Sequence, residues 1–347
     1  MPHTHHSRTG VLLVNLGTPD APQSREVRRY LREFLSDPRV LMMPALARTL
    51  LLEGLILPIR TRKSAAAYRK IWTQAGSPLL THGIALRDRV AKALGDDFIV
   101  ALGMRYGNPS IASALDELTL AGADRVIALP LFPQYSAAAT ASALARIHEE
   151  VAAGWDVRSL STIGAFFDDP GFVDAWRDVA AEPLAQFKPD HVLFSYHGLP
   201  ENQIVRSDAT GAHCLASEDC CAVARSENRH CYRAQCHRTT ELLCEALSLD
   251  AKTISIAFQS RMGRTPWIKP FTDVEVVTLA ERGIKRLAVL CPAFVADCLE
   301  TIEEIGMRLD AQWKSLGGEA LLLVPSLNAH PTWVEAVSQL IRQHDAR

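Results

Sequence analysis

Eight short β-rich runs, each followed by a longer segment of helical character, constrain the fold of this chain more than any other feature. Strands that alternate with helices pair in parallel through right-handed crossovers, so the pattern predicts an α/β fold. Eight strands in 347 residues indicate two sheets of about four strands each, and a single larger sheet with one edge extension is the alternative. The runs are Val11–Asn15, Phe98–Leu102, Arg125–Leu129, Val157–Ile163, His191–Tyr196, Thr253–Phe258, Arg286–Leu290 and Ala320–Val324.

Loops rich in Gly, Pro, Tyr or Ser end most of these strands and recur in the two halves of the chain. They read NLGTP, MRYGNP and LPLFPQYS in the first half, and SYHGLP, FQSRMG and CPAF in the second. Two similar halves that face each other would place these loops around one cleft. Acidic residues, Pro and Gly cluster at Phe167–Phe172, so we expect domains at 1–170 and 171–347.

Two segments depart from the alternation of strands and helices. The first, 36–77, is predicted to be a helical lip, and its apolar run is too short and too interrupted by Pro and Glu to span a bilayer. The part at 41–60 could contact a membrane surface or an apolar ligand's entrance, and an ordinary core-packing helix is the alternative. The second segment, 204–236, is an irregular polar insertion that holds five of the eight cysteines.

Composition and missing motifs exclude several functions. The net charge of −2 argues against a nucleic-acid binder. The first strand lacks the three glycines of a dinucleotide fingerprint and no P-loop motif occurs, so a nucleotide site is disfavoured. The polar N-terminus MPHTHHSRTG carries no export signal, so we expect a cytoplasmic location, where cysteines act as thiols or metal ligands rather than as disulfides.

An imidazole and a carboxylate are expected at neighbouring strand ends. His197 directly follows the fifth run, and in an open α/β sheet ligands bind at the carboxyl ends of the strands. If the second sheet has the order 2-1-3-4, the strand that leads to Glu300 lies beside it. Asp297, Glu300 and Glu304 would share one helix face. His197 and Glu300 could hold a divalent cation or transfer protons, and a structural histidine beside a solvated helix face is the alternative.

Six motifs, spread in order over nearly the whole chain, resemble those of the ferrochelatases. The resemblance implies two Rossmann-like (flavodoxin-like), doubly wound domains with the active-site cleft between them. It also implies a lyase that inserts Fe²⁺ into protoporphyrin IX to give protohaem, releases two protons and completes haem biosynthesis without a nucleotide. The motifs are VNLGTP from Val14, MRYGNP from Met104, LFPQYS at Leu131–Ser136, SYHGLP at Ser195–Pro200, FQSRMGRTPWIKP at Phe258–Pro270 and CPAFVADCLETIEEI from Cys291.

The same resemblance implies roles for individual residues. His197 and Glu300 become the catalytic pair and the ligands of the Fe²⁺ substrate, and Asp297 and Glu304 become the iron path. In relatives that act on coproporphyrin a tyrosine often stands at the position of Leu16, so leucine favours protoporphyrin, and a coproporphyrin ferrochelatase is the alternative. The expected porphyrin contacts are Leu16, Arg105, Tyr106, Tyr135 and Trp267, with Arg105 and Tyr106 near the propionates.

The cysteine insertion suggests a cofactor. A minority of ferrochelatases bind a [2Fe–2S] cluster through four cysteines, and four thiolates satisfy the ligand count of such a cluster. Zinc, completed by a histidine of the same loop, is the first alternative, and a redox- or metal-sensing module built on this loop is another. The candidate ligands are Cys214, Cys220, Cys221 and Cys231, followed by Cys236.

Overall fold

The structure is a computed structural model that describes residues 8–155, 159–223, 225–263 and 265–346. It contains all eight predicted strands, most with bounds that differ by a few residues from the expected ones. Val157 and Arg158 of the predicted fourth strand, Arg264 of the long motif and residues 1–7 lie outside the described residues. The strands are β1 (Arg8–Thr18), β2 (Phe98–Gly107), β3 (Ala123–Pro130), β4 (Ser159–Thr162), β5 (His191–His197), β6 (Ile254–Gln259), β7 (Arg286–Leu290) and β8 (Ala320–Leu323).

The strands form two parallel sheets of identical order. The first sheet has the order β2-β1-β3-β4 and the second has the order β6-β5-β7-β8. The prediction of two four-stranded sheets is therefore confirmed, and the alternative of one larger sheet is wrong. The expected 2-1-3-4 order of the second sheet is confirmed as well, because β5 pairs with β7 from His191 to Phe194.

The central strand of each sheet is buried along nearly its whole length. Val11–Val14 of β1 and Val192–Phe194 of β5 are at most 2% exposed. Consecutive residues of a strand point to opposite faces, so both faces of each sheet are covered, as is usual for parallel sheets. Burial ends at the carboxyl ends of these strands, where Leu16 and His197 become partly exposed.

Helices connect the strands, as the alternation of the sequence predicts. Among the described residues, π-helical turns occur at Leu52–Ile56, Ala137–Ala141 and Glu300–Leu309, and a 3₁₀ turn occurs at Ala251–Thr253. The π-helix is rare and frequently found at functional sites. The α-helices are α1 (Ser24–Ser36), α2 (Ala45–Leu51), α3 (Leu57–Ile71), α4 (Pro78–Leu94), α5 (Ile111–Leu120), α6 (Ser142–Ala153), α7 (Pro170–Phe187), α8 (Glu201–Ser207), α9 (Tyr232–Ala246), α10 (Thr272–Glu281), α11 (Asp310–Ser315) and α12 (Pro331–Asp345).

The chain divides into two compact units, each built on one sheet. Within the described residues, the first unit comprises the chain up to Leu131, Ala137–Gly164 and the end of the chain from Trp333, and the second comprises Phe132–Ser136 and Ala165–Thr332. This division groups the last segment with the first unit, whereas the sequence prediction places it in the domain 171–347. Asp345 accepts a hydrogen bond from the Thr9 hydroxyl at 3.0 Å and pairs with Arg125 at 2.6 Å, which fastens α12 to the first sheet.

The two segments that depart from the alternation differ in structure. In 36–77, α2, the π-helical turn and α3 follow one another without a break from Ala45 to Ile71. No helix of the described ranges is long and apolar enough to cross a membrane. In 204–236, α8 and α9 occupy the two ends, and the described residues from 208 to 231 form turns and bends.

A glycine sets the carboxyl end of the central strand β1. Gly17 pairs with Tyr106 of β2 and has a φ of 115°, which L side chains rarely adopt. A Cβ atom at this position would overlap the backbone carbonyl of Tyr106. The close approach of the two strands fixes the turn that follows Leu16.

Candidate functional site

His197 is the last residue of β5, and the chain turns sharply at Gly198. The backbone N–H of Gly198 donates to the carbonyl oxygen of Gln259 on β6 at 2.8 Å. A Cβ atom at Gly198 would lie 2.8 Å from that oxygen and 3.2 Å from Cε3 of Trp267. Glycine is therefore required for the turn that presents the imidazole at the sheet edge.

The imidazole of His197 lies against two aromatic rings. Its ring centre is 6.5 Å from that of Trp267 and 6.2 Å from that of Phe294, both in tilted orientations. Its Nδ1 atom lies 2.6 Å from the carbonyl oxygen of Gly198. A carbonyl oxygen only accepts hydrogen bonds, so Nδ1 carries a proton, and the lone pair of the neutral form of the ring lies on Nε2.

Glu300 is the first residue of the π-helix Glu300–Leu309. The expected ladder of three carboxylates on one helix is wrong for Asp297, which precedes the helix. Both of its oxygens accept hydrogen bonds: Oδ1 from Thr301 Oγ1 and the backbone N–H of Ser326, each at 3.2 Å, and Oδ2 from Asn328 at 2.8 Å. Asp297 thus holds the loop before the helix in place.

Glu304 lies about one turn after Glu300 and is held by a residue that the sequence reasoning missed. The backbone N–H and the hydroxyl of Ser260 donate to its two carboxylate oxygens at 3.0 and 2.5 Å. Ser260 has a φ of 68°, an uncommon value for a residue with a side chain. Arg308 lies 3.7 Å from the same carboxylate.

Gln259 connects the end of β5 to the start of the π-helix and was also missed. It pairs with His197 in the β5–β6 register, and its side-chain amide donates to the backbone carbonyl of Glu300 at 3.0 Å. The signal in the sequence was a polar amide at the end of an otherwise apolar run. The second unit therefore brings His197, Trp267, Glu300 and Glu304 into one connected region.

Arg105 and Tyr106 lie at the carboxyl end of β2 in the first unit, as expected, but their polar groups face an internal carboxylate. The Arg105 guanidinium lies 2.7 Å from Asp37 and donates to the Ser142 hydroxyl at 2.7 Å. The Tyr106 hydroxyl donates to Asp37 at 3.0 Å, and its ring lies 4.4 Å beneath the guanidinium. Neither Asp37 nor Ser142 stood out in the sequence, because their partners are distant along the chain.

Asp37 is ionised in this cluster. Burial of the carboxyl opposes ionisation, but hydrogen bonds from Ser142, the backbone of Arg39 and Tyr106, together with the Arg105 charge, hold the pKa of Asp37 below its usual value. Its side chain is 2% exposed and that of Arg105 is 16% exposed, so the ion pair is largely shielded from water.

The other expected porphyrin contacts are distributed over both units. Leu16 is partly exposed at the end of β1 in the first unit. Tyr135 belongs to the second unit, where its backbone N–H donates to Gln235 at 2.7 Å and its ring meets that of His230 at 6.1 Å. Trp267 is 8% exposed, and its indole N–H donates to the carbonyl of Met262 at 2.8 Å.

Four of the five expected cysteine ligands meet in the insertion. The sulfurs of Cys220 and Cys221 lie 3.7 Å apart. Cys231 accepts hydrogen bonds from Cys221 and Cys214, and chiefly the bond from Cys221 lowers its pKa to about 6, against the opposing effect of burial. Cys236 instead forms a hydrogen bond with Tyr232, and both residues lie on the buried side of α9.

The environment of these thiols is polar and ordered. The backbone N–H of Leu215 donates to Cys220 at 3.4 Å, and the Arg233 guanidinium donates to Cys221 at 3.4 Å and to Cys220 at 3.6 Å. Asp208 holds the loop by accepting from the backbone of His213 and Cys214 at 2.8 and 2.9 Å. In the part of the chain that the structure describes, however, three or more His, Cys, Asp or Glu side chains are nowhere grouped so as to hold a metal ion.

The comparison with protein families decides what this chain is. The family model described as Ferrochelatase matches residues 8–345. This chain belongs to the ferrochelatase family. The resemblance seen in the six motifs is thereby confirmed, and the match covers both units.

Ferrochelatases of two bacteria are similar to this chain over nearly their whole length. One from Coxiella burnetii is 50% identical over 339 residues, which cover 98% of this chain and 94% of the relative. One from Legionella pneumophila (strain Lens) is 46% identical over 338 residues, which cover 97% and 99%. The chain is therefore an enzyme of haem biosynthesis with ferrochelatase function, whose substrates are ferrous iron and a porphyrin.

Solved structures confirm the fold. The sirohydrochlorin chelatase SirB from Bacillus subtilis subspecies spizizenii, in complex with cobalt, has a TM-score of 0.53 at 10% identity and covers 97% of this chain and 94% of its own. SirB from Bacillus subtilis with Fe³⁺ has a TM-score of 0.51 at 13% identity and covers 97% and 95%. At these identities the similarity supports only the fold of this ferrochelatase.

The Asp37 cluster yields a prediction about acid stability. Asp37→Asn should lower the free energy of unfolding by about 2 kcal/mol at neutral pH, because it leaves the Arg105 charge without its partner. A carboxyl with a lowered folded pKa stabilises the protein above its unfolded pKa of about 3.9, and this stabilisation is lost as the pH falls through the folded value. Urea unfolding at pH 7 and pH 3 should therefore show a smaller acid loss in the variant.

The matched control for this prediction is Asp174→Asn. Asp174 pairs with Arg177 at 2.6 Å, but both side chains are more than 40% exposed. Loss of an exposed pair costs about 0–1 kcal/mol. If both variants lose the same free energy of unfolding, or if Asp37→Asn and the parent lose equal stability between pH 7 and pH 3, the buried ion pair does not stabilise the protein more than an exposed one.

Proposed function

We propose that this ferrochelatase inserts Fe²⁺ into protoporphyrin IX to give protohaem and two protons, the last step of haem biosynthesis, in a reaction of the lyase class. The observation that supports this proposal most strongly is the connected site of the second unit, where the His197 and Glu300 segments are joined through Gln259. Leu16 supports protoporphyrin as the substrate, since the resemblance associates tyrosine at this position with coproporphyrin.

His197 is the base that we propose for the pyrrole protons. A porphyrin carries two N–H protons at its centre, and iron can bind the ring nitrogens only after these protons leave. Because Nδ1 of His197 faces the Gly198 carbonyl, the Nε2 lone pair can accept a proton. Histidine is the side chain that most often transfers protons as a general acid or base in enzymes.

Glu300 is the partner that we propose for His197 in holding the incoming Fe²⁺. A carboxylate oxygen and an imidazole nitrogen are both suitable ligands for ferrous iron. We propose Glu304 and Asp297 as the iron path. Glu304 lies on the same π-helix as Glu300, whereas Asp297 lies in the loop before it. Both carboxylates already accept hydrogen bonds, Glu304 from Ser260 and Asp297 from Thr301, Ser326 and Asn328.

Apolar and aromatic side chains would favour a bent porphyrin over a flat one. A bent ring exposes its nitrogen lone pairs, so walls that fit it better than the flat ring would lower the barrier by differential binding. We propose Leu16, Tyr135 and Trp267 as these walls. Arg105 and Tyr106 are proposed near the propionates, and since Asp37 already pairs with one edge of the guanidinium, a propionate would meet its remaining N–H groups.

A [2Fe–2S] cluster is the cofactor that we propose for the insertion. The donor set fits, because four buried thiols adjoin one another and backbone and guanidinium N–H groups donate to two of the sulfurs. A two-iron cluster needs two thiolates at each iron, and the four thiols would supply them. Bound there, the cluster would supply one-electron redox chemistry.

We also propose a location in the cytoplasm, at the inner face of the membrane. The segment 41–60 would make the peripheral membrane contact. The lip exposes four large apolar side chains, at 53–75% of their full surface, although apolar side chains of this size are usually buried. A helical surface of this kind can insert its apolar side into the headgroup region. The side chains are Leu46, Leu50, Leu55 and Ile59.

The assignment of substrate and base predicts a specific kinetic pattern. Under anaerobic conditions with Fe²⁺, protoporphyrin IX should be converted at least about tenfold faster than coproporphyrin, a difference of about 1.4 kcal/mol. His197→Ala should lower kcat/KM by about 10²–10⁴-fold, the usual contribution of a general base. His148→Ala, at an exposed position of α6, serves as the control and should leave the rate unchanged. A faster reaction with coproporphyrin would overturn the substrate assignment, and full turnover in His197→Ala would overturn the role of the base.

The cluster predicts a spectroscopic signature. Protein purified without oxygen should show visible absorption and, after reduction, an electron paramagnetic resonance signal of one two-iron cluster per chain. Cys231→Ser should lose both signals because it removes a ligand. Cys236→Ser and the half-buried Cys244→Ser should retain them. Stoichiometric zinc without visible absorption would replace the cluster, and loss of the signal in Cys236→Ser would change the ligand set.

The lip predicts binding to phospholipid vesicles. Leu46→Ser combined with Leu50→Ser should weaken cosedimentation with anionic vesicles at least about tenfold, because each leucine contributes about 1.5–3 kcal/mol when fully buried. Leu120→Ser removes a leucine that is 88% exposed on α5 and should have no effect. Equal binding by the parent and the double variant would refute the contact.

A further inference from the structure

A buried chain of hydrogen bonds runs from β5 to the first residue of the π-helix. The Ser195 hydroxyl donates to the side-chain carbonyl of Gln259 at 2.7 Å, and the Gln259 amide donates to the backbone carbonyl of Glu300 at 3.0 Å. Since the hydroxyl proton of Ser195 is used in this way, the hydroxyl of Thr272, 2.9 Å away, donates to Ser195. Ser195, Gln259 and Thr272 are at most 3% exposed.

Both ends of this chain lie next to the proposed metal ligands. Ser195 is two residues before His197, so its side chain points to the same face of β5. Gln259 is the register partner of His197, and its carbonyl oxygen receives the N–H of Gly198. Its side chain then reaches across to the backbone of Glu300. Gln259 therefore bonds to the backbone next to His197, at Gly198, and to the backbone of Glu300.

We propose that Gln259 is a positioning residue that sets the spacing between the His197 imidazole and the Glu300 carboxylate for Fe²⁺. This inference rests on the proposed roles of those two residues. A glutamine suits the task because one planar amide both accepts and donates. Partners that orient metal ligands are commonly worth about 10–100-fold in metal affinity or activity.

The alternative is that Gln259 only fills the core. Its side-chain oxygen is also approached by the Cys291 thiol at 3.8 Å, so this oxygen has two donors, Ser195 and Cys291. A purely structural role predicts that loss of the amide lowers stability and affects iron and porphyrin alike. A positioning role predicts a selective effect on the metal.

The test compares Gln259→Met with the parent. Methionine has similar length but makes neither hydrogen bond, so we expect KM for Fe²⁺ to rise about tenfold. The dissociation constant of protoporphyrin IX, measured by fluorescence quenching without metal, should change less than about twofold. Ser255→Ala is the matched control, because it removes a hydrogen bond to His191 at the opposite end of β6. It should shift the melting temperature without changing either substrate constant.

A second measurement separates this inference from the proposed function. Co²⁺ titrated without porphyrin should give a visible ligand-field band that His197→Ala abolishes, and Gln259→Met should weaken Co²⁺ binding at that band about tenfold. Adding Ser195→Ala to Gln259→Met should weaken it no further. An unchanged Co²⁺ affinity, or equal losses for metal and porphyrin, would overturn the positioning role while His197 retains its own. If no Co²⁺ band depends on His197, the proposed metal pair of His197 and Glu300 is refuted, and the positioning role of Gln259 is refuted with it.

Discussion

The pairing of β5 between β6 and β7 is the constraint on which the candidate site depends. β5 is buried on both faces and contributes His197 at its end, and each neighbour leads to a different part of the site. β6 ends at Gln259 and leads to Ser260 and Trp267, whereas β7 leads to Phe294 and Glu300. If the register of β5 against β6 shifted by one residue, the side chains of the strand would exchange faces and the imidazole would leave the region of Trp267.

The strands themselves and the place of His197 could be predicted because both follow from local signals, whereas the order 2-1-3-4 of the second sheet was taken from the common doubly wound topology. An apolar run of five to seven residues predicts a buried strand, and its abrupt end at His197 and Gly198 predicts a ligand-binding edge. Periodicity was less informative for Glu300. The pattern of apolar residues is compatible with an ordinary helix that begins before Asp297, but in the structure Asp297 holds a loop and the helix has the wider π geometry.

Long-range polar pairing could not be predicted. Asp37 meets Arg105 and Ser142 across 68 and 105 positions of the chain, and Glu304 meets Ser260 across 44. No local pattern indicates such partners, because a buried and paired charged residue cannot be distinguished from an exposed one in the sequence. The return of α12 to the first unit is another case, since it depends on hydrogen bonds and ion pairs with Thr9 and Arg125 rather than on the order of elements. The convergence of four cysteines was predictable from their density alone, whereas the separate place of Cys236 depends on its packing in α9.

Near the carboxyl end of the central strand, each unit has a glycine that lies close to a backbone carbonyl of the neighbouring strand. β1 carries Leu16 and Gly17 just before its last residue, Thr18, whereas β5 ends with His197 and Gly198 follows it. The carbonyl belongs to Tyr106 in the first case and to Gln259 in the second. These two facing residues also use their side chains alike. The Tyr106 hydroxyl donates to Asp37 after α1, and the Gln259 amide donates to Glu300 at the start of the π-helix.

The two glycines differ in backbone conformation, since Gly17 lies within β1 at a φ of 115° and Gly198 follows β5, but in both places the residue before the glycine determines the chemistry. Leucine at position 16 provides an apolar surface, whereas histidine at position 197 provides a lone pair whose direction is fixed by the Gly198 carbonyl. Chelatases at 10–13% identity share this fold, and a fold by itself does not specify the reaction. The family could nevertheless be assigned from a few short motifs, since these motifs are the strand ends themselves.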